Sequence, residues 1–172
     1  QGQRIAAVDL REVSTGRPLR LHADLFVDCT GDGWIGYWSG ADYRYGRESR
    51  DEFDEAWDQH GDLWSPPQPD HKVMGASLLW NSVEDDDAPV FPAVPWAMDV
   101  AQGHVALAGE WYWEFSRDDL HQVDDAEAIR DHLLRAIYGT FANARAKPAN
   151  ARRRLEWVGF ISGKRESRRL MG

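Results

Sequence analysis

Between residues 4 and 12, Ala6, Val8 and Leu10 fall on one side of an extended chain, with Asp9 and Arg11 on the other. This period-two alternation predicts a half-buried strand. Ser14-Thr15-Gly16-Arg17-Pro18 carries turn residues, and the return segment places Leu19, Leu21, Ala23, Leu25 and Val27 on one face, so the two segments read as an antiparallel hairpin. Leu25-Phe26-Val27 is apolar without a break and predicts a strand entering a sheet covered on both faces. Next comes the turn Asp28-Cys29-Thr30-Gly31-Asp32-Gly33, and Trp34 to Ala41 is read as a short helix beginning where that turn ends.

Residues 47 to 60 place Phe53 and Trp57 at i, i+4 among charges, the pattern of a surface helix. Trp64 to Pro69 is a breaker-rich loop, Val73 to Val83 a strand, and Glu84 to Pro95 a second loop. A further strand is expected from Val105 to Phe115. From Asp125 onward, Ile129, Leu133, Ile137 and Phe141 recur every fourth residue, with Leu134 and Tyr138 widening the stripe. This is the most strongly patterned helix, with Asp124 or Asp125 as its cap and Pro148 beyond its end. A shorter helix from Asn150 carrying Leu155, and a charged terminal strand from Gly163, complete the reading. Strands and helices mix without regular βαβ alternation, which gives an α+β fold or a piece of a larger α/β protein.

A chain of 172 residues with 42% hydrophobic positions can bury a core. Its net charge of −9 lacks the basic footprint of a nucleic-acid binder. No apolar run reaches the roughly 18 residues of a membrane-spanning helix. The single cysteine, Cys29, excludes an intrachain disulfide framework and is compatible with a reducing, cytoplasmic compartment. Without an initiator Met, the chain reads as an internal segment of a longer protein. Nine Trp residues either fill a core or line a pocket for flat or sugar-like ligands.

The Asp28–Gly33 turn has the place of a ligand-binding turn, at the end of a strand and the start of a helix, where glycines admit close approach and amides favour phosphate. A tight structural turn has the same spacing. Asp28 and Asp32 lack the carboxylate ladder of a calcium loop. Cys29 is a small filler or an activated thiol. The six histidines show no zinc spacing, and His104 beside Gly103 is the one carried as a pocket candidate. In Trp111-Tyr112-Trp113-Glu114, the indoles share one strand face, which suits a core strand, a stacking platform, or an acid/base pair of Glu110 and Glu114. Lys164 to Arg169 is too densely charged for every side chain to be solvated if either strand face is covered. A buried Arg then needs a carboxylate or phosphate partner.

Taken in order, Ala23-Asp24-Leu25-Phe26-Val27-Asp28-Cys29-Thr30-Gly31-Asp32-Gly33, then Ser39-Gly40-Ala41-x-Tyr43-x-x-Gly46-Arg47-Glu48, Trp111-x-Trp113-Glu114 and Gly163-Lys164-Arg165-Glu166-Ser167-Arg168-Arg169 resemble a family of FAD-dependent oxidoreductases. These are bacterial proteins with a Rossmann-type FAD domain, some of them described as xanthan-lyase-related. The resemblance implies that Cys29, Thr30, Gly31, Asp32 and Gly33 lie against the adenosine-diphosphate half of FAD. It further implies that Arg47, Glu48 and the Lys164–Arg169 segment, Arg168 included, face the flavin or substrate pocket. Residues 1–50 would then belong to the FAD domain, and 51–172 to an inserted substrate domain with a return strand.

The family's opening Gly-x-Gly-x-x-Gly turn, which receives the FAD pyrophosphate, is read as absent. The isolated chain is therefore expected to bind FAD weakly or not at all and to be inactive without the rest of its parent. The parent is expected to move a hydride or electron pair between a small organic substrate and FAD, with Arg165, His104 and Glu114 as candidate catalytic groups. A noncatalytic carbohydrate-binding or interaction module, and a glycoside hydrolase acting through Glu110 and Glu114, are the competing readings.

Overall fold

In the computed structural model, which describes residues 4–53, 61–62, 66–109 and 114–171, the chain divides into two units. The smaller comprises residues 1–44 and 168–172, the larger residues 45–167. Both mix short antiparallel strands with helices, as α+β predicts.

In the smaller unit, β1 (Val8–Arg11) pairs antiparallel with β2 (Pro18–Leu21), in the register Val8 to Leu21 and Arg11 to Pro18. The antiparallel pairing is as predicted, though shorter, but the face expected to be half-buried is largely open, with Leu10 and Leu21 45% and 51% exposed. Its turn closes by Gly16 N donating to Glu12 O at 2.8 Å, and Arg20 donates to both Asp9 carboxylate oxygens across the strands. The continuation is different. Leu25 to Val27 form no strand, and Leu25 and Val27 are 79% and 71% exposed. A continuous apolar run becomes a strand only when neighbouring strands supply hydrogen bonds, and none of the described strands lies beside it. After the turn, α1 (Trp34–Trp38) forms as expected. β3 (Tyr43–Tyr45) borders β9 (Arg168–Leu170), and Met171 N donates to Asp42 O at 2.9 Å just beyond.

The larger unit is organised around one long helix. Residues 47–53, the described part of the expected surface helix, are not helical, because the Arg47 and Asp70 backbones bond each other in both directions and hold Arg47 extended. The expected single strand over 73–83 is two, β4 (Ala76–Ser77) and β5 (Trp80–Glu84), separated by Leu78 and Leu79. The loop before residue 95 holds, but α2 (Pro95–Ala101) follows it, unforeseen, with Pro95 at a helix start where its missing N–H costs nothing. Within the strand expected from Val105, only β6 (Ala108–Gly109) and an isolated bridge at Phe115 are found, and residues 110–113 lie outside the described residues.

α3 (Ala126–Arg145) matches its pattern: Ile129, Leu133, Ile137 and Phe141 are fully buried. Asp125 is its N-cap residue, although the carboxylate accepts the His121 amide and not a helix amide. This stripe packs against Ala76, Leu78 and Trp80, so the core lies between α3 and the strands. α2 crosses α3 where a side chain would not fit: a Cβ on Gly139 would stand 2.5 Å from the Ala101 Cβ and 2.6 Å from the Ala97 carbonyl.

The helix expected from Asn150 is instead a single 3-10 turn at Pro148–Asn150, followed by β7 (Arg153–Val158). β7 pairs with β5, and β6 joins the other side of β5. Arg153 and Arg154 pair in register with Glu84 and Val83, and Arg152, Arg153 and Arg154 meet the acidic run Glu84 to Asp86 in three ion pairs. The terminal charged segment is two short strands, β8 (Gly163–Lys164) on β4 and then β9 in the smaller unit.

Candidate functional site

The Asp28–Gly36 turn is held by its own acid. Asp28 Oδ1 accepts from the Thr30 amide at 3.0 Å and the Thr30 hydroxyl at 2.7 Å, while Oδ2 accepts from the amides of Ile35 at 2.9 Å and Gly36 at 3.1 Å. Thr30 Oγ1 in turn accepts the Trp34 amide at 2.8 Å. These bonds, the Thr30 hydroxyl foremost and against a smaller cost of burial, hold the Asp28 carboxyl below its ordinary range.

The amides that open α1 are thus already satisfied, Trp34 by a hydroxyl and Ile35 and Gly36 by an anion. A phosphate approaching them would meet a carboxylate in its place. The spacing expected to be missing is nevertheless present, since Gly31, Gly33 and Gly36 stand at Gly-x-Gly-x-x-Gly. That reading of the sequence is corrected here. What differs from a pyrophosphate cradle is the context: no strand runs directly into the turn, since residues 22–33 are not extended in a sheet, the helix has five residues, and Asp28 fills the Ile35 and Gly36 amides.

The three glycines have separate roles. Gly31 and Gly33 have φ of 84° and 62°, the left-handed conformation that glycine adopts without cost. Gly36 and Gly33 make room for Leu170 of β9, whose side chain would lie 2.3 Å and 3.1 Å from a Cβ at these positions. A Cβ placed on Gly31 would meet nothing within 4 Å among the described residues, so the turn is open on that side. Beside it Asp32 is buried, Thr30 is exposed, and Cys29 is an exposed free thiol.

Arg168 on β9 is only 6% exposed. Its guanidinium carbon lies 4.3 Å from the Trp34 ring centroid, 4.1 Å from that of Tyr37 and 5.9 Å from that of Tyr43. Nε and Nη1 are buried and have no hydrogen-bond partner among the described residues. Aromatic faces stand where a counter-ion was expected, and the ring quadrupoles partly replace it.

The other expected site residues belong to the larger unit. Arg47 donates to both Asp70 carboxylate oxygens and, at 3.1 Å, to the Asp62 carbonyl; the pair raises the Arg47 pKa, and at Asp70, where burial pushes the carboxyl up, the Arg47 guanidinium together with the Lys72 and Arg47 amides brings it below its ordinary value. Lys164 lies on β8 opposite Ala76. Arg165 is exposed beside Glu166, at 3.9 Å. Glu114 Oε1 accepts the Gly75 amide at 2.9 Å. His104 follows α2, with its carbonyl accepting from Asn143 at 2.8 Å. Glu110, Trp111, Tyr112 and Trp113 lie outside the described residues. Among the described residues no group of three metal-ligating side chains comes together.

Sequence reading missed the aromatic side of the site, Trp34, Tyr37 and Tyr43. An i, i+3 aromatic pair on a short helix was the available signal.

A family model described as FAD dependent oxidoreductase matches residues 1–172, and the chain belongs to that family. No curated protein and no solved structure matches it. Membership carries a flavin oxidoreductase-type parent that binds FAD. Among the described residues no helix is long and apolar enough to cross a membrane.

Proposed function

We propose that this chain forms part of an enzyme that moves a hydride or electron pair between a small organic substrate and FAD. In this reading the smaller unit is an edge of the FAD domain, and the larger unit is an inserted substrate domain. When bound, FAD supplies the redox chemistry, and the chain's own residues bind and orient.

The observation that carries the reading is the open, positive-φ backbone at Gly31 beside the buried Asp32. With the helix amides of Ile35 and Gly36 already occupied by Asp28, the turn disfavours phosphate, and the second carboxylate, Asp32, suits a hydroxyl donor. The turn Cys29 to Gly33 therefore faces a hydroxyl-bearing part of FAD. Arg168 backs this turn by fixing α1 against β9. In the larger unit Arg165 holds an anionic substrate group, with His104 and Glu114 as proton carriers, and Arg47 and Lys164 complete the pocket wall.

The test uses the full-length parent. Asp32→Ala is expected to lower bound FAD, read from visible flavin absorbance, and Arg165→Ala to retain FAD but lose turnover. Unchanged flavin content in the first variant removes the turn from the site, and full activity in the second removes Arg165.

A further inference from the structure

Within the larger unit, an open cavity of about 790 Å³ lies between the loop entering α2 and the last turns of α3. Phe91, Val94, Met98, Ala142 and Ala146 make its walls apolar. Small-molecule pockets commonly occupy roughly 300–1,000 Å³ and combine such walls with a few polar groups.

Its polar end is defined by Arg145. Nη1 donates to the Asn150 carbonyl at 3.1 Å and Nη2 to the Pro89 carbonyl at 2.8 Å, both neutral acceptors. Nε is buried with no hydrogen-bond partner among the described residues. No carboxylate among the described residues pairs with it, whereas Arg47, Arg117, Arg130, Arg135 and the three arginines of residues 152–154 all have one. In a chain with 29 acidic and 20 basic residues, a guanidinium left without an acid at the rim of an apolar cavity is complementary to an anion from outside.

The wall beside it is fixed. Asn143 lines the cavity and donates through Nδ2 to the carbonyls of Gln102, at 3.1 Å, and His104, at 2.8 Å. Gln102 has φ of 50°, and it is the one described non-glycine residue with positive φ. Backbone strain of this kind persists only where surrounding bonds hold it, and such positions gather at binding sites.

We propose that this cavity binds an apolar monocarboxylate, its body against Phe91, Val94, Met98 and Ala142 and its carboxylate beside Arg145. The proposal does not depend on where FAD lies.

Titrating decanoate into the full chain, followed by calorimetry and by amide NMR shifts, tests it. Saturable one-to-one binding is expected, with shifts confined to residues 90–98 and 142–151. Decanol, of the same length without charge, is expected to bind at least about tenfold more weakly, which is about 1.4 kcal/mol. Arg145→Gln should produce a similar loss. Ala142→Phe, which fills the cavity and leaves the guanidinium intact, should abolish binding while circular dichroism shows an unchanged fold. This second variant decides the matter if Arg145→Gln does not fold. Equal affinity for decanol, undiminished binding by Ala142→Phe, or no saturable binding each overturns the proposal.

Discussion

The guanidinium carbon of Arg168 lies 4.1 Å from the centroid of the Tyr37 ring, and Trp34 closes the same cation at 4.3 Å. A side chain expected to need an acid or a phosphate is held by π faces. Such a contact contributes about 2 kcal/mol when desolvated. Arg168→Met keeps much of the length and loses the charge. It is expected to destabilise the smaller unit by about 1–2 kcal/mol, measured by denaturant unfolding followed at the Trp34 indole resonance. No loss in the midpoint would remove the cation from the account.

Asp28 acts as the cap of α1 from six residues before its start. Asp28→Ala is expected to cost about 1 kcal/mol and to speed hydrogen exchange at the Ile35 and Gly36 amides in particular. The pH dependence follows from the lowered carboxyl pKa. A carboxyl with a lower pKa folded than unfolded contributes stability that is full above the unfolded value of about 3.9 and is lost as pH falls through the folded one. The variant should lack that acid-side loss.

His132 stacks on Phe115 with ring centroids 3.7 Å apart, and burial, followed by the nearby Arg135, lowers its pKa. Here the unfolded chain binds the proton more readily. Stability is therefore full above about pH 6.5 and falls as the solution is acidified below it. An imidazole NMR titration should give a midpoint below about 6.5. A midpoint at or above that value contradicts the packing.

In the core of the larger unit, Phe141 is fully buried and meets Trp80 and Phe91 edge-on. Phe141→Ala is expected to cost about 3–5 kcal/mol in unfolding free energy. Gly139→Ala tests a different effect. Helix propensity favours alanine by about 1 kcal/mol, but the Ala97 carbonyl and the Ala101 methyl occupy its space. Overpacking costs about 1–3 kcal/mol. A net loss of thermal stability is expected, and a gain would mean that α2 moves away without cost.

α3 was legible because every term agreed: the four-residue period of Ile129 to Phe141, the acids before it and Pro148 after it. The hairpin was legible for the same reason, with alternation on both sides of a turn. Where one signal stood alone, the reading failed. Leu25 to Val27 had hydrophobicity without a strand partner, and residues 150–155 had helix-compatible composition while their arginines had acids to meet across β5. At the site, the glycine turn was recognised, but its Gly-x-Gly-x-x-Gly spacing went unread, and no local pattern foretells that Asp28 folds back onto Gly36.

The sequence by itself determined the family, the α+β character, the long core helix and the turn from Asp28 to Gly33, because each is written in contiguous residues or their period. Only the tertiary structure decided what those residues are bonded to. Arg47 is held by Asp70, Arg168 by rings, the Ile35 and Gly36 amides by Asp28, and Arg145, among the described residues, by neutral carbonyls. Charge and polarity are local properties of a sequence, but their satisfaction is a matter of which distant groups the packing brings within hydrogen-bond reach.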